Sequence, residues 1–579
     1  MKHPFKGASR KFAAIAAISL VASVVPASVS SAAKVSASKQ GGEITVGVFN
    51  RLLSTCYTPN AANSALGIMK SVFEGLVEQR SDGKIVPYLA ESVTPSADYK
   101  TWTVKVRSGI KFHTGEALDA AAVVLNINTL IGLTYLSNPT GLGHTGGSTI
   151  PFTANIKGAQ AVGTDTAVIA LYNPQIDFLE SLYGSGRFYM RAPSNILNAT
   201  LCATKGAGTG PFMFQSTSAE TNVVVKNPNY WRKDKDGNQL PYLDKITFKY
   251  VEQPSQRASG LRSGSLDAAM FTSVGEIKQI ASVQADRNLQ MILSPDDFYP
   301  TFWLNQAIEP FNNKNARLAF ASAWDNATYY KLRNCYKGKC LGSIPESLVG
   351  PRNVMHNKAG FIKYDVKKAK EYAAAYKTET GKDLTFQLNA DVSAESQANA
   401  KAAQQIFKKA GITTTILVED TATQVSKAFP STTDIVTKGA ANPYQAYPVL
   451  LFEGTGTSFT MPFIQSNVFR APGNGKLAIT PLFAAIGAGL NVTRHKDSAL
   501  DNLVWSALSD VTSARKTKLK AVTKYMQENA VLVATPTQQY GFGFTSELKG
   551  FDSFILASGG RGRPMTNAGV NWTGVYIEK

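Results

Sequence analysis

Residues 384–418 read LTFQLNADVSAESQANAKAAQQIFKKAGITTTILV, and their hydrophobic periodicity changes twice along the stretch. Leu384 to Asn389 predicts a strand, Ala394 to Ala410 predicts a helix, and Ile412 to Val418 predicts a second strand. Gly411 stands where a helix commonly ends in a left-handed turn. Apolar residues recur on one face of this helix, at Ala403, Ile406, Phe407 and Ala410. Two strands joined by a helix predict a parallel βαβ unit with a right-handed crossover, and therefore an α/β fold.

The segments on either side of this unit carry the same two periodicities. Strands are predicted at Glu43–Phe49 and at Thr101–Val106, where apolar and polar residues alternate strictly. Helices are predicted from Asn63, where apolar residues recur at Leu66, Met69, Phe73 and Leu76, from the capping residue Asp119 to about Leu130, and from about Ser513 to Asn529. Strands therefore alternate with helices over most of the chain.

The bulk composition is that of a large globular protein. The chain has 579 residues, of which 44% are hydrophobic and 17% are charged. This length indicates more than one lobe. Beyond the N-terminus no run approaches the roughly 18 consecutive apolar residues of a membrane span. The formal net charge of +19 is scattered over short clusters, so nucleic acid is not expected as a partner.

The N-terminus is typical of an export signal. Lys2, Lys6, Arg10 and Lys11 precede the apolar run Phe12–Pro26, and small residues end the segment before Lys34. We expect residues 1–33 to be a signal peptide and 34–41 a linker. The mature chain would be exported to a periplasm or a cell exterior. It would not be lipid-anchored there through an N-terminal cysteine, because none lies near the cleavage point.

The four cysteines are expected to form disulfides, because the compartment is oxidising and their number is even. Cys335 and Cys340 flank a short loop around Gly338 and are predicted to pair. Cys56 and Cys202 are left as a second pair whose proximity the sequence does not reveal. A zinc site is the competing interpretation, but the five histidines do not cluster near these cysteines.

Sequence motifs of catalysis are absent. There is no phosphate-binding loop, no H-E-x-x-H zinc motif and no G-x-S-x-G nucleophile elbow. His113 follows Phe112 at a predicted strand end, where a structural role is favoured over that of a catalytic base. Asp296 and Asp297 are adjacent and favour a solvated turn. The sequence therefore predicts no enzyme, no cofactor and no metal site.

Nine stretches resemble the extracellular solute-binding proteins that serve ATP-driven importers of peptides, dipeptides and nickel, the family 5 type. In chain order they are Phe73–Val77 (FEGLV), Asp82–Ser92 (DGKIVPYLAES), Trp102–Arg107 (WTVKVR), Gly109–Gly115 (GIKFHTG), Gly208–Phe212 (GTGPF), Asn227–Trp231 (NPNYW), Pro241–Ile246 (PYLDKI), Leu261–Asp267 (LRSGSLD) and Tyr364–Lys370 (YDVKKAK). The glycines and proline of these motifs suit tight loops beside strands. The motifs therefore indicate the fold and do not locate the ligand-binding residues.

The resemblance implies a two-lobed, periplasmic-binding-protein-like α/β fold with a ligand cleft between the lobes. Two crossings of the chain would join the lobes and allow hinge closure. We expect residues 42–297 to form the first lobe, 298–531 the second, and 532–579 a return to the first. Candidate ligand-binding residues are Tyr57, Trp303, Asn305, Asn442 and Tyr444, although each could instead be structural.

One departure from the family concerns the ligand. Peptide-binding members resemble one another in a Gly-Trp segment followed by an Asp that pairs with the peptide α-ammonium group. Here the comparable stretch is Gly439–Pro448 (GAANPYQAYP), in which Ala440 replaces the Trp and no acid occurs. The nearest acids along the chain are Asp434 and Glu453. The resemblance therefore supports membership of the family more strongly than it supports a preference for peptide ligands.

The function predicted is extracytoplasmic capture of a small solute, peptide-like or other, and its delivery to a membrane permease and its ATPase subunits. The chain is expected to act as a monomer. Two alternatives remain open at this point: a secreted hydrolase with an unrecognised site, and a cell-surface sensor on the same fold.

Overall fold

The computed structural model describes residues 39–52, 54–56, 63–131, 150–153, 155–184, 188–295, 299–428, 443–452, 491, 493–566 and 569–578. The predicted signal peptide and most of the predicted linker lie outside these residues. The described part from Lys39 onwards forms one compact unit.

The strands are β1 (Glu43–Val48), β2 (Val77–Gln79), β3 (Ile85–Pro87), β4 (Ala90–Pro95), β5 (Thr101–Val106), β6 (Ile156–Val162), β7 (Thr166–Leu171), β8 (Phe212–Thr217), β9 (Thr221–Lys226), β10 (Lys245–Tyr250), β11 (Ala268–Thr272), β12 (Leu289–Leu293), β13 (Tyr299–Leu304), β14 (Cys335–Tyr336), β15 (Lys339–Cys340), β16 (Thr385–Ala390), β17 (Thr413–Val418), β18 (Ala446–Phe452), β19 (Leu532–Ala534), β20 (Tyr540–Thr545), β21 (Leu548–Lys549), β22 (Met565–Thr566), β23 (Gly569–Val570) and β24 (Tyr576–Ile577).

The helices are α1 (Asn63–Val72), α2 (Ala120–Leu130), α3 (Ile150–Thr153), α4 (Phe178–Tyr183), α5 (Pro193–Leu197), α6 (Ala199–Thr204), α7 (Pro254–Ser263), α8 (Ser273–Gln284), α9 (Lys314–Ala323), α10 (Asn326–Asn334), α11 (Val366–Thr380), α12 (Ala394–Lys409), α13 (Thr421–Ala428), α14 (Ser498–Leu508) and α15 (Arg515–Glu528).

A seven-stranded sheet organises the first lobe, in the order β12-β20-β11-β1-β10-β9-β8. The first strand, β1, lies parallel to both β10 and β11. Strand β20, from the C-terminal part of the chain, pairs antiparallel with β11 and β12. The end of the chain therefore returns to the lobe in which the chain begins.

A four-stranded antiparallel sheet, β4-β5-β7-β6, forms a second layer of the first lobe. In β5 the side chains of Trp102, Val104 and Val106 are buried, as the alternation predicts. Asp119 caps α2 by accepting a hydrogen bond from the backbone N–H of Ala122, as expected for an N-cap aspartate. The burial pattern of β5 and the cap of α2 thus follow from local sequence pattern.

A five-stranded sheet organises the second lobe, in the order β17-β16-β18-β13-β19. The prediction for residues 384–418 is confirmed: β16 and β17 are parallel neighbours, joined by α12. Gly411, just past α12, has a φ of +74°. A residue with a Cβ would be strained in that left-handed conformation.

The second crossing of the chain lies between Ala534 and Tyr540 rather than at 532. Strand β19 still pairs with β13 of the second lobe, with Leu532 opposite Trp303 and Ala534 opposite Thr301. The first crossing lies between β12 and β13.

Candidate functional site

The two crossings lie side by side and are tied together by hydrogen bonds. The backbone N–H of Ser294 donates to the carbonyl of Tyr540 (2.8 Å), and the backbone N–H of Tyr540 donates to Ser294 Oγ (2.9 Å). Gln539 Nε2 donates to the carbonyl of Ser294 (2.7 Å). The crossings therefore form a joint of two neighbouring backbone segments, a geometry suited to hinge bending.

A disulfide hairpin from the second lobe packs against this joint. Its strands β14 and β15 carry Cys335 opposite Cys340, and the two sulfurs are bonded, the pairing that their spacing predicts. Just beyond the hairpin, the backbone N–H of Gly342 donates to Gln539 Oε1 (2.9 Å). Leu341 packs against an apolar cluster of the first lobe. The segment beyond the hairpin therefore contacts the second crossing through Gly342 and the first lobe through Leu341.

The lobes also meet away from the crossings. Asp177 precedes α4 in the first lobe, and Arg515 begins α15 in the second. The Arg515 Nη2 atom lies 2.8 Å from Asp177 Oδ2, and their side chains are only 11% and 13% exposed. Phe152 of α3 in the first lobe is buried in an apolar cluster that is otherwise built from the second lobe. Both contacts therefore join the two lobes.

Two of the predicted ligand-binding residues lie on or just beyond β13. Trp303 is 1% exposed, and its indole N–H donates to Thr301 Oγ1 (2.8 Å). Asn305 is also 1% exposed and accepts a hydrogen bond from the backbone N–H of Ala307 (3.1 Å). Both side chains are thus buried. Asn305 follows the end of β13 that is distant from the crossing.

The other three candidates lie in or beside regions outside the described residues. Tyr57 and Asn442 belong to those regions themselves. Tyr444 is buried in the same cluster as Trp303, and its hydroxyl donates to Glu419 Oε2 (2.8 Å). The hydrogen bonds from Lys427 and Tyr444 lower the pKa of the Glu419 carboxyl below its ordinary value. The structure therefore brings together Trp303 and Tyr444 among the predicted residues.

Glu419 is a carboxylate near the Gly439–Pro448 segment that sequence spacing did not reveal. It lies 25 residues from its partner Tyr444. Its charge is already matched by an ion pair with Lys427. An incoming ammonium group would have to displace that lysine, so Glu419 is not a ready anchor for a peptide N-terminus.

The motif residues in the first lobe form a buried carboxylate network around Glu74. Oε1 of Glu74 accepts from the hydroxyls of Tyr88 (3.0 Å) and Tyr230 (2.6 Å). Oε2 accepts from Trp231 Nε1 (3.0 Å) and Thr209 Oγ1 (3.0 Å). Burial raises the pKa of the Glu74 carboxyl above its ordinary value, and the hydrogen bonds from these four donors counteract only part of that rise. The Glu74 network thus joins residues of four of the motifs in the buried interior of the first lobe.

His113 fastens the glycine-rich segment that follows α6. Its Nε2 donates to the carbonyl of Gly210 (3.0 Å), and its Nδ1 accepts from the backbone N–H of Gly208 (3.3 Å). A carbonyl can only accept and a backbone N–H can only donate, so the ring is neutral with its proton on Nε2. Burial lowers the pKa of His113 to about 4, against which the bond to Gly210 acts weakly. This is a structural histidine, as its sequence context favoured.

We expect His113 to make folding stability depend on pH. Its folded-state pKa of about 4 lies below the ordinary value of 6.5, so between these values the unfolded chain binds more protons. Acidification from pH 6.5 to 4 should therefore remove about 3 kcal/mol of stability through this group. Urea unfolding of the wild type and of His113→Gln across this range should show the loss in the difference between them. Parallel curves would contradict it.

Two further features are absent from the part of the chain that the structure describes. No cluster of three or more His, Cys, Asp or Glu side chains there could hold a metal ion. No helix in the same residues has the length and apolar character needed to cross a bilayer.

The contacts between the two lobes are not predicted from the sequence. Asp177 and Arg515 are 338 residues apart, and neither has a neighbouring motif. The polar run Thr535–Gln539 between two apolar strands was the available signal for the joint, since a polar segment between buried strands marks an exposed or bonded connection.

Comparison with known proteins agrees with this architecture. Residues 84–458 match the family model described as "Bacterial extracellular solute-binding proteins, family 5 Middle". The solved structure of the periplasmic binding protein DppA from Helicobacter pylori, in complex with the peptide STSA, superposes with a TM-score of 0.71 at 19% identity. That alignment covers 93% of this chain and 99% of DppA. It establishes the two-lobed fold.

Curated relatives match over a shorter span. The nickel-binding periplasmic protein of Escherichia coli K12 is 30% identical over 227 residues, which cover 39% of each chain. The glutathione-binding protein GsiB of Salmonella paratyphi A is 28% identical over 298 residues, 51% of this chain and 55% of GsiB. The aligned parts thus span about half or less of these relatives. The family model covers well over half of this sequence, and the chain belongs to the bacterial extracellular solute-binding proteins, family 5.

Proposed function

We propose that this protein captures a small solute outside the cytoplasm and delivers it to the permease of an ATP-driven importer. The observation that carries the proposal is the pair of lobes, joined by two adjacent crossings and bridged across the cleft by Asp177 and Arg515. Membership of the solute-binding family supports it. Export through cleavage near Lys34 is part of the proposal, and the N-terminal residue of the secreted protein tests it.

The proposed ligand is a solute without a free peptide N-terminus, because the Gly439–Pro448 segment has no carboxylate that could pair with one. A buried ammonium without a paired anion costs several kcal/mol, of which the neutral Asn442 returns only part. Glu419, the carboxylate that contacts this segment through Tyr444, is paired with Lys427. The relatives differ in the ligands that their names give, nickel, glutathione and a peptide, so family membership leaves the ligand class open.

Native mass spectrometry of the freshly purified protein tests solute capture directly. We expect a bound small molecule that is recovered unchanged after incubation, because a binding protein does not turn its ligand over. Conversion of that molecule to a product would instead favour a hydrolase.

Calorimetry with a mixed di- to pentapeptide library tests the proposed ligand class. Weak or absent binding is expected. Tight binding that N-acetylation abolishes, and that survives Asp434→Asn and Glu453→Gln, would show that an acid elsewhere holds the ammonium group.

The Asp177–Arg515 pair is expected to stabilise the closed arrangement. Removing one partner of a largely buried, hydrogen-bonded charge pair costs at least about 2 kcal/mol, which corresponds to about 30-fold in affinity. Arg515→Gln should weaken binding of the copurifying solute by about that factor. It should also enlarge the radius of gyration of the ligand-free protein.

A charge exchange separates this effect from local misfolding. Arg515→Asp and Asp177→Arg should each weaken binding, and the double variant should recover part of the loss because the ion pair is restored in reverse. Lys518→Gln is a matched control, since Lys518 lies on the same helix but pairs with Asp510 of its own lobe. An unchanged affinity in Arg515→Gln would contradict the role of the pair.

A further inference from the structure

Positive charge is concentrated in the second lobe. Residues 299–534 contain 28 Lys and Arg against 17 Asp and Glu. Residues 39–298 and 535–579, which form the first lobe, contain 27 against 24. The second lobe therefore carries a net charge of +11 and the first only +3. This asymmetry indicates that one side of the molecule meets an anionic partner.

Helix α15 presents part of this charge as a stripe. Lys516, Lys520 and Lys524 are spaced four residues apart, so they lie on one helix face, and all three are exposed. The opposite face packs into the lobe through Leu519, Val522 and Met526, which are buried to 1% exposure or less. The buried face therefore packs α15 against the lobe and leaves the three lysines of the stripe exposed to solvent.

A neighbouring loop extends the stripe. Asn357 Nδ2 donates to the carbonyl of Lys520 (2.8 Å), and Gln527 Nε2 donates to the carbonyl of Ala359 (2.7 Å). These bonds hold residues 357–359 against α15. Arg352, Lys358 and Lys363 of this loop are exposed. Together, Arg352, Lys358, Lys363, Lys516, Lys520 and Lys524 are named here the basic face.

Two acids moderate the basic face without neutralising it. Glu346 pairs with Lys358 (2.5 Å), and Glu528 pairs with Lys524 (3.6 Å). The hydrogen bond from Lys358, together with the charges of Lys358, His356 and Lys363, lowers the pKa of Glu346. Neither Lys516 nor Lys520 forms an ion pair with a residue that the structure describes. Lys516 and Lys520 therefore keep positive charge on the basic face.

These positive charges do not stabilise helix α15 itself. The N-terminus of α15 is the positive end of its dipole, yet Arg515, Lys516 and Lys518 lie in its first turn, which contains no acid. Like charges four residues apart also repel one another, which disfavours the helix. Arg515 and Lys518 are matched by Asp177 and Asp510. Lys516 and Lys520 have no such compensation from the described residues, which points to an anion outside the protein.

Exposed apolar side chains lie among the basic residues. Val354 is 37% exposed, two residues from Arg352, and Tyr364 is 40% exposed, next to Lys363. A soluble polyanion would be recognised by charge alone, whereas a bilayer surface combines anionic headgroups with an apolar boundary at which tyrosine is favoured. The mixture of lysines with an exposed tyrosine and valine therefore favours a bilayer.

We propose that the basic face docks the second lobe on an anionic phospholipid bilayer. The lysines contact lipid phosphates, and Tyr364 and Val354 contact the headgroup–acyl boundary. Such docking would keep the protein beside the membrane in which its permease lies. It is tested independently of solute capture, because the experiment uses ligand-free protein.

Co-sedimentation with vesicles tests the proposal. Ligand-free protein should bind vesicles of phosphatidylcholine and phosphatidylglycerol in equal parts, should not bind pure phosphatidylcholine vesicles, and should be released by high salt. A lysine at an anionic surface contributes about five-fold to binding, so the variant Lys516→Gln/Lys520→Gln/Lys524→Gln should bind about 100-fold more weakly. Tyr364→Ser should weaken binding at every salt concentration.

The matched control removes the same charge from the first lobe. Lys84, Lys100 and Lys111 are exposed there, and replacing all three with glutamine should leave vesicle binding nearly unchanged. Circular dichroism confirms that each variant is folded. Absent vesicle binding, an equal loss in the control, or binding to soluble inorganic polyphosphate without binding to vesicles would each overturn the proposal.

Discussion

Replacing Glu276 with alanine is expected to lower the free energy of unfolding by about 3–5 kcal/mol. Arg257 Nη2 lies 2.7 Å from both carboxylate oxygens of Glu276, and the arginine side chain is fully buried. Removing the carboxylate would leave an uncompensated charge in the first lobe. The protein cannot expel it without unpacking α7 from the sheet.

Within the part of the chain that the structure describes, Glu276 is the one carboxylate that forms an ion pair with Arg257. Its Nη1 is already committed to the carbonyls of Val251 (2.8 Å) and Glu252 (2.7 Å). The rings of Phe49 and Phe271 lie 5.3 and 5.4 Å from its guanidinium carbon. These groups hold the arginine in place but supply no full negative charge. The loss of Glu276 should therefore lower the free energy of unfolding, because the Arg257 cation would remain buried and unpaired.

Urea unfolding measures this effect, with Glu252→Ala as the matched control. The Glu252 side chain is exposed, and only its backbone carbonyl serves Arg257, so this variant should change stability by less than about 0.5 kcal/mol. Replacing Arg257 and Glu276 together with methionine should destabilise far less than Glu276→Ala, because no unpaired charge remains. A double variant as unstable as the single one would contradict the electrostatic explanation.

The two disulfides are expected to differ strongly in their contributions to stability. Cys56 and Cys202 close a loop across 146 positions, whereas Cys335 and Cys340 are five positions apart. Restricting the unfolded chain by a longer loop stabilises the folded state more, by about 5 kcal/mol for the first pair and about 2 kcal/mol for the second. Cys56→Ala/Cys202→Ala should therefore unfold at a much lower urea concentration than Cys335→Ala/Cys340→Ala.

The contacts around Cys202 add to this difference. Thr55 Oγ1 donates to the carbonyl of Cys202 (2.8 Å), and the backbone N–H of Gly206 donates to Thr55 Oγ1 (2.7 Å). The Cys56–Cys202 bond thus anchors the segment after β1 to α6, while the other bond closes a partly exposed hairpin. Equal destabilisation by the two double replacements would contradict the loop-length explanation. Peptide mapping without reductant checks both pairings.

Local pattern was enough to predict much of the fold. The alternation of Thr101–Val106, the cap at Asp119 and the strand-helix-strand run of residues 384–418 depend on neighbours within one element, which the sequence displays directly. The second crossing was placed early, because Val531–Ala534 is apolar and nothing local shows that Leu532–Ala534 pairs with β13.

The candidate site was harder to predict, because it depends on contacts between distant segments. Trp303 and Tyr444 are both buried in one apolar cluster, and the aromatic character that a sequence displays does not separate a residue lining a cleft from one packed in a core. The Asp177–Arg515 pair joins residues from different lobes, which no periodicity encodes. The family motifs were visible in the sequence, but they build scaffold such as the Glu74 network rather than the cleft.

Small-angle scattering with and without ligand tests the central proposal, solute capture by closure of two lobes, most directly. The ligand is the solute that native mass spectrometry identifies, removed by mild unfolding and refolding and then restored to saturation. The joint at Ser294 and Tyr540 and the bridge at Asp177 and Arg515 predict a smaller radius of gyration with ligand bound. An unchanged radius, with bound ligand verified in the same sample, would contradict the proposed closure.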